Sequence, residues 1–221
     1  MISAEPATSR IHRHDAASAI DRLGIEPSHS VLDLGCGDGH HSRAIALNRP
    51  ALFVDLDVSY GQLRELARET PTPGRCSYVC GDALVLPFAN ESFDRVVCSL
   101  VVYLLPLEEA LRELFRIVRR RGKAYVRVPM LSSGRAAGVL EPRLSARGRV
   151  YAFSHVWNGF FFSLSGRQSR SPFVRHDRWA CYLPRHRFEE AARRVGFRVE
   201  TLLVDYPKPR MPSIDAWLVK D

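Results

Sequence analysis

Val31-Leu32-Asp33-Leu34-Gly35-Cys36-Gly37-Asp38-Gly39 is the stretch that decides how this 221-residue chain folds. A short apolar run reads as a buried strand, and alternate glycines follow at once, where a strand must turn into a helix. Glycine has no Cβ and tolerates φ above zero, so such a turn lets a ligand approach backbone N–H groups closely. The stretch predicts a nucleotide or nucleoside pocket. Taken alone it could equally be a structural turn; two acidic residues further on give it meaning.

The chain on either side fits a βαβ unit. HHSRAIALNRP after Gly39 reads as a helix stopped by Pro50, and Ala51 to Asp57 as a second buried strand. A carboxylate at the end of that strand, roughly 20 residues past the glycine turn, can accept hydrogen bonds from both ribose hydroxyls. Asp57 stands there, with Ser59 as the N-cap of the next helix. Cys76 to Cys80 reads as a third strand ending in Gly81-Asp82-Ala83, where an acidic side chain can accept from the exocyclic amine of adenine. Phe93 to Leu100 is the fourth strand, and its end, Ser99 to Tyr103, faces the same crevice, because ligands of open α/β sheets gather outside the carboxyl ends of the strands.

VLDLGCGDG, DLDVS and GDALVLPFANESFDRVV, in that order, resemble the class I S-adenosylmethionine-dependent methyltransferases, of the type acting on small molecules and quinone precursors. The likeness covers roughly residues 28 to 130. It implies a Rossmann-like α/β fold with a seven-stranded, mostly parallel sheet, an antiparallel last strand and helices on both faces. It also implies S-adenosylmethionine as cofactor and S-adenosylhomocysteine as product. Carried onto this sequence, Asp33, Gly35, Cys36 and Gly37 belong to the methionine side of the site and Asp57 to the ribose. Asp82 and Ala83 read adenine, and Ser99 and Leu100 complete the cofactor set. Asp55 departs from the pattern by standing where many relatives have glycine, so two carboxylates are expected to crowd the ribose, one raising the pKa of the other.

The remainder is expected to complete a single domain: a cofactor half at 28–130, a substrate lid at 131–182, and a C-terminal helix and strand hairpin at 183–221. A third helix over Leu107 to Arg119 carries Ala110, Leu111, Leu114 and Val118 inward with its arginines outward. The run Arg119 to Gly122 reads as a helix C-terminus favoured by the macrodipole, ahead of a fifth strand from Lys123 to Pro129. The lid shows no periodic pattern but is rich in aromatics, among them Trp157, Phe161 and Tyr182 as candidate substrate contacts. They either clasp an apolar or aromatic substrate, with arginine for an anionic group on it, or form a small helical core of Trp157, Phe160 and Phe161. RHRFEEAARRVGF is a helix closed by Gly196, and RVETLLVDY and SIDAWLVK are the final strands.

Composition bounds the function. The apolar share of 46% supports a sizeable core, and no apolar run is long enough to cross a membrane. MISAEPATSRIHRHD lacks a signal-peptide core, which places the chain in the cytoplasm. Five scattered cysteines give neither a disulfide framework nor a metal set. The net charge of +8 is almost all arginine, spread as on a solvated surface, and weighs little toward nucleic acid. The reading is methyl transfer to a small-molecule acceptor in a biosynthetic pathway, with an RNA methyltransferase and a non-catalytic cofactor-fold subunit as alternatives. An in-line transfer to a hydroxyl or amine needs a base, for which His155, His176, His14 and Tyr103 are the candidates, Tyr103 and His155 foremost.

Overall fold

A computed structural model describes residues 16–69, 76–130, 145–168, 170–171, 179–205 and 212–221. His14 and His176 lie outside the described residues. The elements are α1 (Ala16–Leu23), β1 (Ser30–Leu34), α2 (His40–Leu47), β2 (Leu52–Asp57), α3 (Tyr60–Glu69), β3 (Cys76–Cys80), β4 (Phe93–Ser99), α4 (Leu107–Ile117), β5 (Val118–Pro129), α5 (Ala146–Ser165), α6 (Arg185–Val195), β6 (Arg198–Asp205) and β7 (Ser213–Val219), with a 3₁₀ turn at Val102–Leu104. The sheet has seven strands in the order β3-β2-β1-β4-β5-β7-β6. Strands β1 to β5 pair in parallel, and β7 runs antiparallel to both β5 and β6. The expected topology holds, including its antiparallel last strand.

The alternation of each strand splits the core in two. Leu32, Leu34, Val54, Leu56, Val96 and Val126 pack beneath α4 and α6 with Leu111, Leu114 and Phe188. On the other face Val31, Phe53, Val97, Tyr125 and Trp217 pack with Ile20 and Leu23 of α1 and Ile45 of α2. Because both faces are covered, the strands read as nearly continuous apolar runs. The strand order reverses between β1 and β4, which leaves a crevice at their carboxyl ends.

Three expectations fail, each for a local reason. Helix α4 ends at Ile117, not Arg119, and Val118 opens β5 in an extended conformation. Ser92 and Glu91 donate their N–H groups to the carbonyls of Ile117 and Arg116, capturing the end of the helix. The cation at that terminus is Lys220 from the far end of the chain, whose Nζ donates to the carbonyls of Phe115 and Val118 at 3.1 and 2.9 Å. Arg119 instead pairs with Asp94 at 2.7 Å. Not every arginine of α4 faces outward, since Arg116 donates to Phe88 O at 2.7 Å and Leu86 O at 3.0 Å, pinning the chain between β3 and β4. Finally, the patternless insertion contains a 20-residue helix, α5, with Ser145 as its N-cap and Gly166 closing it at positive φ. Its Trp157, Phe160 and Phe161 do not form a small core; all three are exposed.

Candidate active site

A cavity of about 400 Å³ opens at the carboxyl ends of the central strands. Leu34 and Gly35 line it from β1, Leu56, Asp57 and Val58 from β2, and Gly81, Asp82 and Ala83 from the end of β3. Leu100, Val101, Leu104 and Leu105 close the opposite side. The walls are apolar with two carboxylates at one edge, the balance expected of a small-molecule site.

The glycine turn packs tightly against the opposite wall of the cavity. Gly35 has φ 72°, and a Cβ there would lie 2.2 Å from Val101 Cγ2. The N–H groups of Gly35 and Cys36 both donate to Leu56 O, at 2.7 and 3.1 Å, which binds the turn to β2. Across the crevice Leu100 has φ 59°, a left-handed conformation uncommon for a residue with a side chain. Its N–H donates to Arg127 O at 2.8 Å, so β5 fixes that conformation. Such an outlier on a cavity wall points to function rather than to folding.

Asp57 joins the turn to α3. Its Oδ2 accepts from Gly37 N–H at 3.0 Å and its Oδ1 from Ser59 N–H at 2.8 Å. Each oxygen keeps a second lone pair for a vicinal diol. Asp82 Oδ1 accepts from Leu84 N–H at 2.9 Å, ordering the loop that carries it. Cavity shape and two carboxylates fit a nucleoside.

Asp55 does not crowd the ribose position. It is buried one pleat back from Asp57 and absent from the cavity wall. Ser42 Oγ lies 2.8 Å from Asp55 Oδ1 and 3.0 Å from Asp33 Oδ2. One hydroxyl proton cannot serve two carboxylates, so a second proton must reside on the pair. Burial, reinforced by the Asp55 charge, holds the Asp33 carboxyl well above its ordinary range. Burial also raises Asp55, to about 6, against the opposing hydrogen bonds from Ser42 and Cys76. The resulting chain runs from the Asp33 carboxyl to Ser42 and from Ser42 to the Asp55 carboxylate. It lies directly beneath the glycine turn and was hidden from sequence reasoning, because Ser42 is an unremarked helix residue. His41, its neighbour, is buried, which lowers its pKa to about 4.

The structure thus brings Gly35, Asp57, Asp82, Ala83 and Leu100 onto one cavity. Asp33 and Cys36 are buried behind the wall, burial raising the Cys36 thiol, while Gly37 contributes the N–H that holds Asp57. Ser99 pairs with Arg127 and does not line the cavity.

Beyond Leu104 the aromatic candidates divide. Tyr103, His155 and Tyr182 converge, with ring centroids 6.2 Å apart for Tyr103 and His155 and 5.3 Å for His155 and Tyr182. The strand-like segment Trp179–Leu183 ties them together: Cys181 N–H donates to Tyr103 O, Tyr182 N–H to His155 O, and Leu183 N–H to Pro129 O. Gln168, which sequence reasoning missed, donates to Leu105 O and Trp179 O at 2.9 Å and accepts from Leu107 N–H at 2.7 Å. This one amide joins the end of α5 to the cavity wall. Trp157 and Phe161, by contrast, lie on the outward face of α5.

Residues 32–126 match the family model described as a methyltransferase domain. The methyltransferase GfsG of Streptomyces halstedii is 32% identical over 110 residues, which are 48% of this chain and 40% of that protein. The demethylmenaquinone methyltransferase of Beutenbergia cavernae is 36% identical over 110 residues, 49% of this chain and 44% of that protein. The aligned region thus spans less than half the length of these curated relatives. Among solved structures, 1,6-didemethyltoxoflavin-N1-methyltransferase of Burkholderia thailandensis, with its substrate and S-adenosylhomocysteine bound, superposes with a TM-score of 0.65. That likeness covers 93% of this chain and 76% of the other at 13% identity, and shows the fold alone. Family model, curated relatives and sheet topology agree: residues 32–126 are similar to a methyltransferase domain, and the fold is one that solved methyltransferase structures share.

Proposed function

We propose that the chain transfers the methyl group of S-adenosylmethionine to an apolar or aromatic small-molecule acceptor, in a cytoplasmic biosynthetic pathway. The observation that carries this reading is the junction of the carboxylate-edged cavity with the Tyr103, His155 and Tyr182 cluster. Leu104 and Leu105 of the cavity wall directly follow Tyr103 in the chain. When bound, the sulfonium supplies an already activated methyl group, so the protein's task is alignment, worth roughly 7 to 11 kcal/mol in favourable cases.

In this reading Asp57 holds the ribose and Asp82 the adenine, while Gly35, on the cavity wall, borders the methionine tail. The described part of the expected lid, residues 145–168, 170–171 and 179–182, forms the acceptor side, with Tyr182 as an aromatic wall. Tyr103 or His155 receives the proton of an acceptor hydroxyl or amine. Five free cysteines suit a reducing compartment. The quinone precursor named in the relative from Beutenbergia cavernae is an acceptor of the expected chemistry.

The test is a coupled assay for S-adenosylhomocysteine across a panel of phenols, hydroquinones and amines. Turnover should appear with hydrophobic aromatic acceptors. In Tyr103→Phe or His155→Asn the kcat should fall by roughly 100-fold where that residue is the base. A change confined to KM would make it a wall of the pocket. Turnover confined to structured RNA would refute the proposal.

A further inference from the structure

Helix α5 turns Phe162 into the core, yet it also buries three polar side chains and exposes a stripe of apolar ones. Its inward side carries Ser154, His155 and Asn158, each at most 2% exposed, and Gly159, whose Cβ position lies 2.2 Å from Tyr182 O. Asn158 Nδ2 donates to Ala180 O at 3.0 Å and Ser154 Oγ to Ser171 Oγ at 2.6 Å, so the body of the protein satisfies both donors. The outward side carries Val150, Phe153, Trp157, Phe160, Phe161 and Leu164, from 39% to 71% exposed. At the helical repeat these six fall within an arc of about 100° and extend for about 20 Å along the axis. Isolated exposed apolar residues are ordinary; a continuous aromatic stripe on one helix marks an interaction surface.

The charges around the stripe say what it meets. From Pro142 to His176 the sequence contains six arginines and no aspartate or glutamate. Arg149 sits on the exposed helix beside Val150, and Arg167 and Arg170 are exposed just beyond its end. The Arg170 guanidinium stacks over Trp179 at 5.3 Å. Two copies of this stripe placed face to face would set the exposed Arg149, Arg167 and Arg170 of one against those of the other, which disfavours self-association. A negatively charged surface that is apolar beneath complements both features. No helix among the described residues is long and apolar enough to cross a membrane, so α5 would lie along a bilayer.

We propose that the outward face of α5 docks on an anionic lipid surface, its aromatic side chains entering the acyl boundary and the flanking arginines meeting the headgroups. Trp157 then sits at the depth that indole favours, and each arginine adds about fivefold to partitioning near such a surface. This inference is independent of the acceptor's identity, because its test reads binding rather than turnover.

The experiment is flotation of the full chain with vesicles of phosphatidylcholine alone or mixed with phosphatidylglycerol, at low and high salt. The expected result is binding to anionic vesicles at least 10-fold tighter than to neutral ones, weakened by salt. Phe160→Glu combined with Leu164→Glu should abolish it, and Arg149→Gln with Arg167→Gln should weaken it about 25-fold. Circular dichroism and a urea unfolding midpoint, both retained by each variant, show that its fold is intact. Failure of the folded wild type to bind either vesicle overturns the proposal, as does undiminished binding by the folded glutamate variant. A dimer in sedimentation that the glutamate pair dissolves would assign the stripe to a second copy instead.

Discussion

Replacing Asp55 by asparagine should make the protein more stable at alkaline pH and less pH-sensitive. In the native fold the Asp55 carboxyl titrates near 6, against 3.8 for an ordinary aspartate, because it is buried between β2 and α2. A group whose folded pKa is raised contributes stability that is fully present below the unfolded pKa and is lost as pH rises through the folded one. The shift of roughly two units corresponds to about 3 kcal/mol between the two limits. About 1 kcal/mol of it is already gone at pH 4.5, leaving about 2 kcal/mol to be lost between pH 4.5 and pH 8. Asparagine keeps the size and accepts the Ser42 hydroxyl through Oδ1. Its Nδ2 then faces the Cys76 sulfur, a weak acceptor now 3.4 Å from Asp55 Oδ2, which limits the net gain to about 1–2 kcal/mol at pH 8. Asp33 faces the same hydroxyl from β1, with Asp57, Cys36 and Cys98 nearby; burial raises the thiols of Cys36 and Cys98, that of Cys98 to about 12. Urea unfolding at the two pH values should show the variant's midpoint rising relative to wild type by about 1 M between pH 4.5 and pH 8. A difference that does not change with pH would refute the shared-proton account.

Other perturbations separate the parts of the site. Gly35→Ala places a methyl group against Val101 at a left-handed backbone position and should cost about 1–2 kcal/mol by chemical denaturation, partly restored by Val101→Ala. Arg116→Ala strips the carbonyls of Leu86 and Phe88 and the Glu113 carboxylate of their donor; a loss of about 2 kcal/mol, with weakened cofactor binding through the Asp82 loop, is expected. Gly159→Ala drives a Cβ into Tyr182 O and should raise the acceptor KM while leaving S-adenosylhomocysteine affinity nearly unchanged. A rise in KM matched by an equal loss of S-adenosylhomocysteine affinity would show that α5 supports the cofactor cavity as well.

The glycine turn, Asp57 and Asp82 were legible because each requirement is local: a strand, a tight turn, and an acid at a strand's end. The sheet followed from the same runs. What escaped depends on partners distant in sequence. Val118 belongs to a strand because Phe93 pairs with it, and Lys220 caps α4 from about 100 residues away. Asp55 looked like a second ribose ligand because strand alternation puts it on the Asp57 side, but alternation cannot show that Ser42 and Asp33 enclose it. Helix α5 was obscured because Ser154, His155 and Asn158 are buried while Phe153, Trp157, Phe160 and Phe161 are exposed, so the usual reading of periodicity selects the wrong face. Tyr103 and His155 were singled out separately, and only the Trp179–Leu183 segment shows that they meet.

The central claim is that the cavity edged by Asp57 and Asp82 holds the methyl donor. It is tested most directly by calorimetric titration of S-adenosylhomocysteine into the wild-type chain and into Asp57→Ala, with circular dichroism to confirm folding. The account predicts micromolar binding by wild type and affinity lower by about 30- to 100-fold in the variant, the loss of about 2–3 kcal/mol expected when a charged hydrogen-bond partner is removed. Equal affinity in wild type and a folded Asp57→Ala protein, or no saturable binding by wild type, would contradict it.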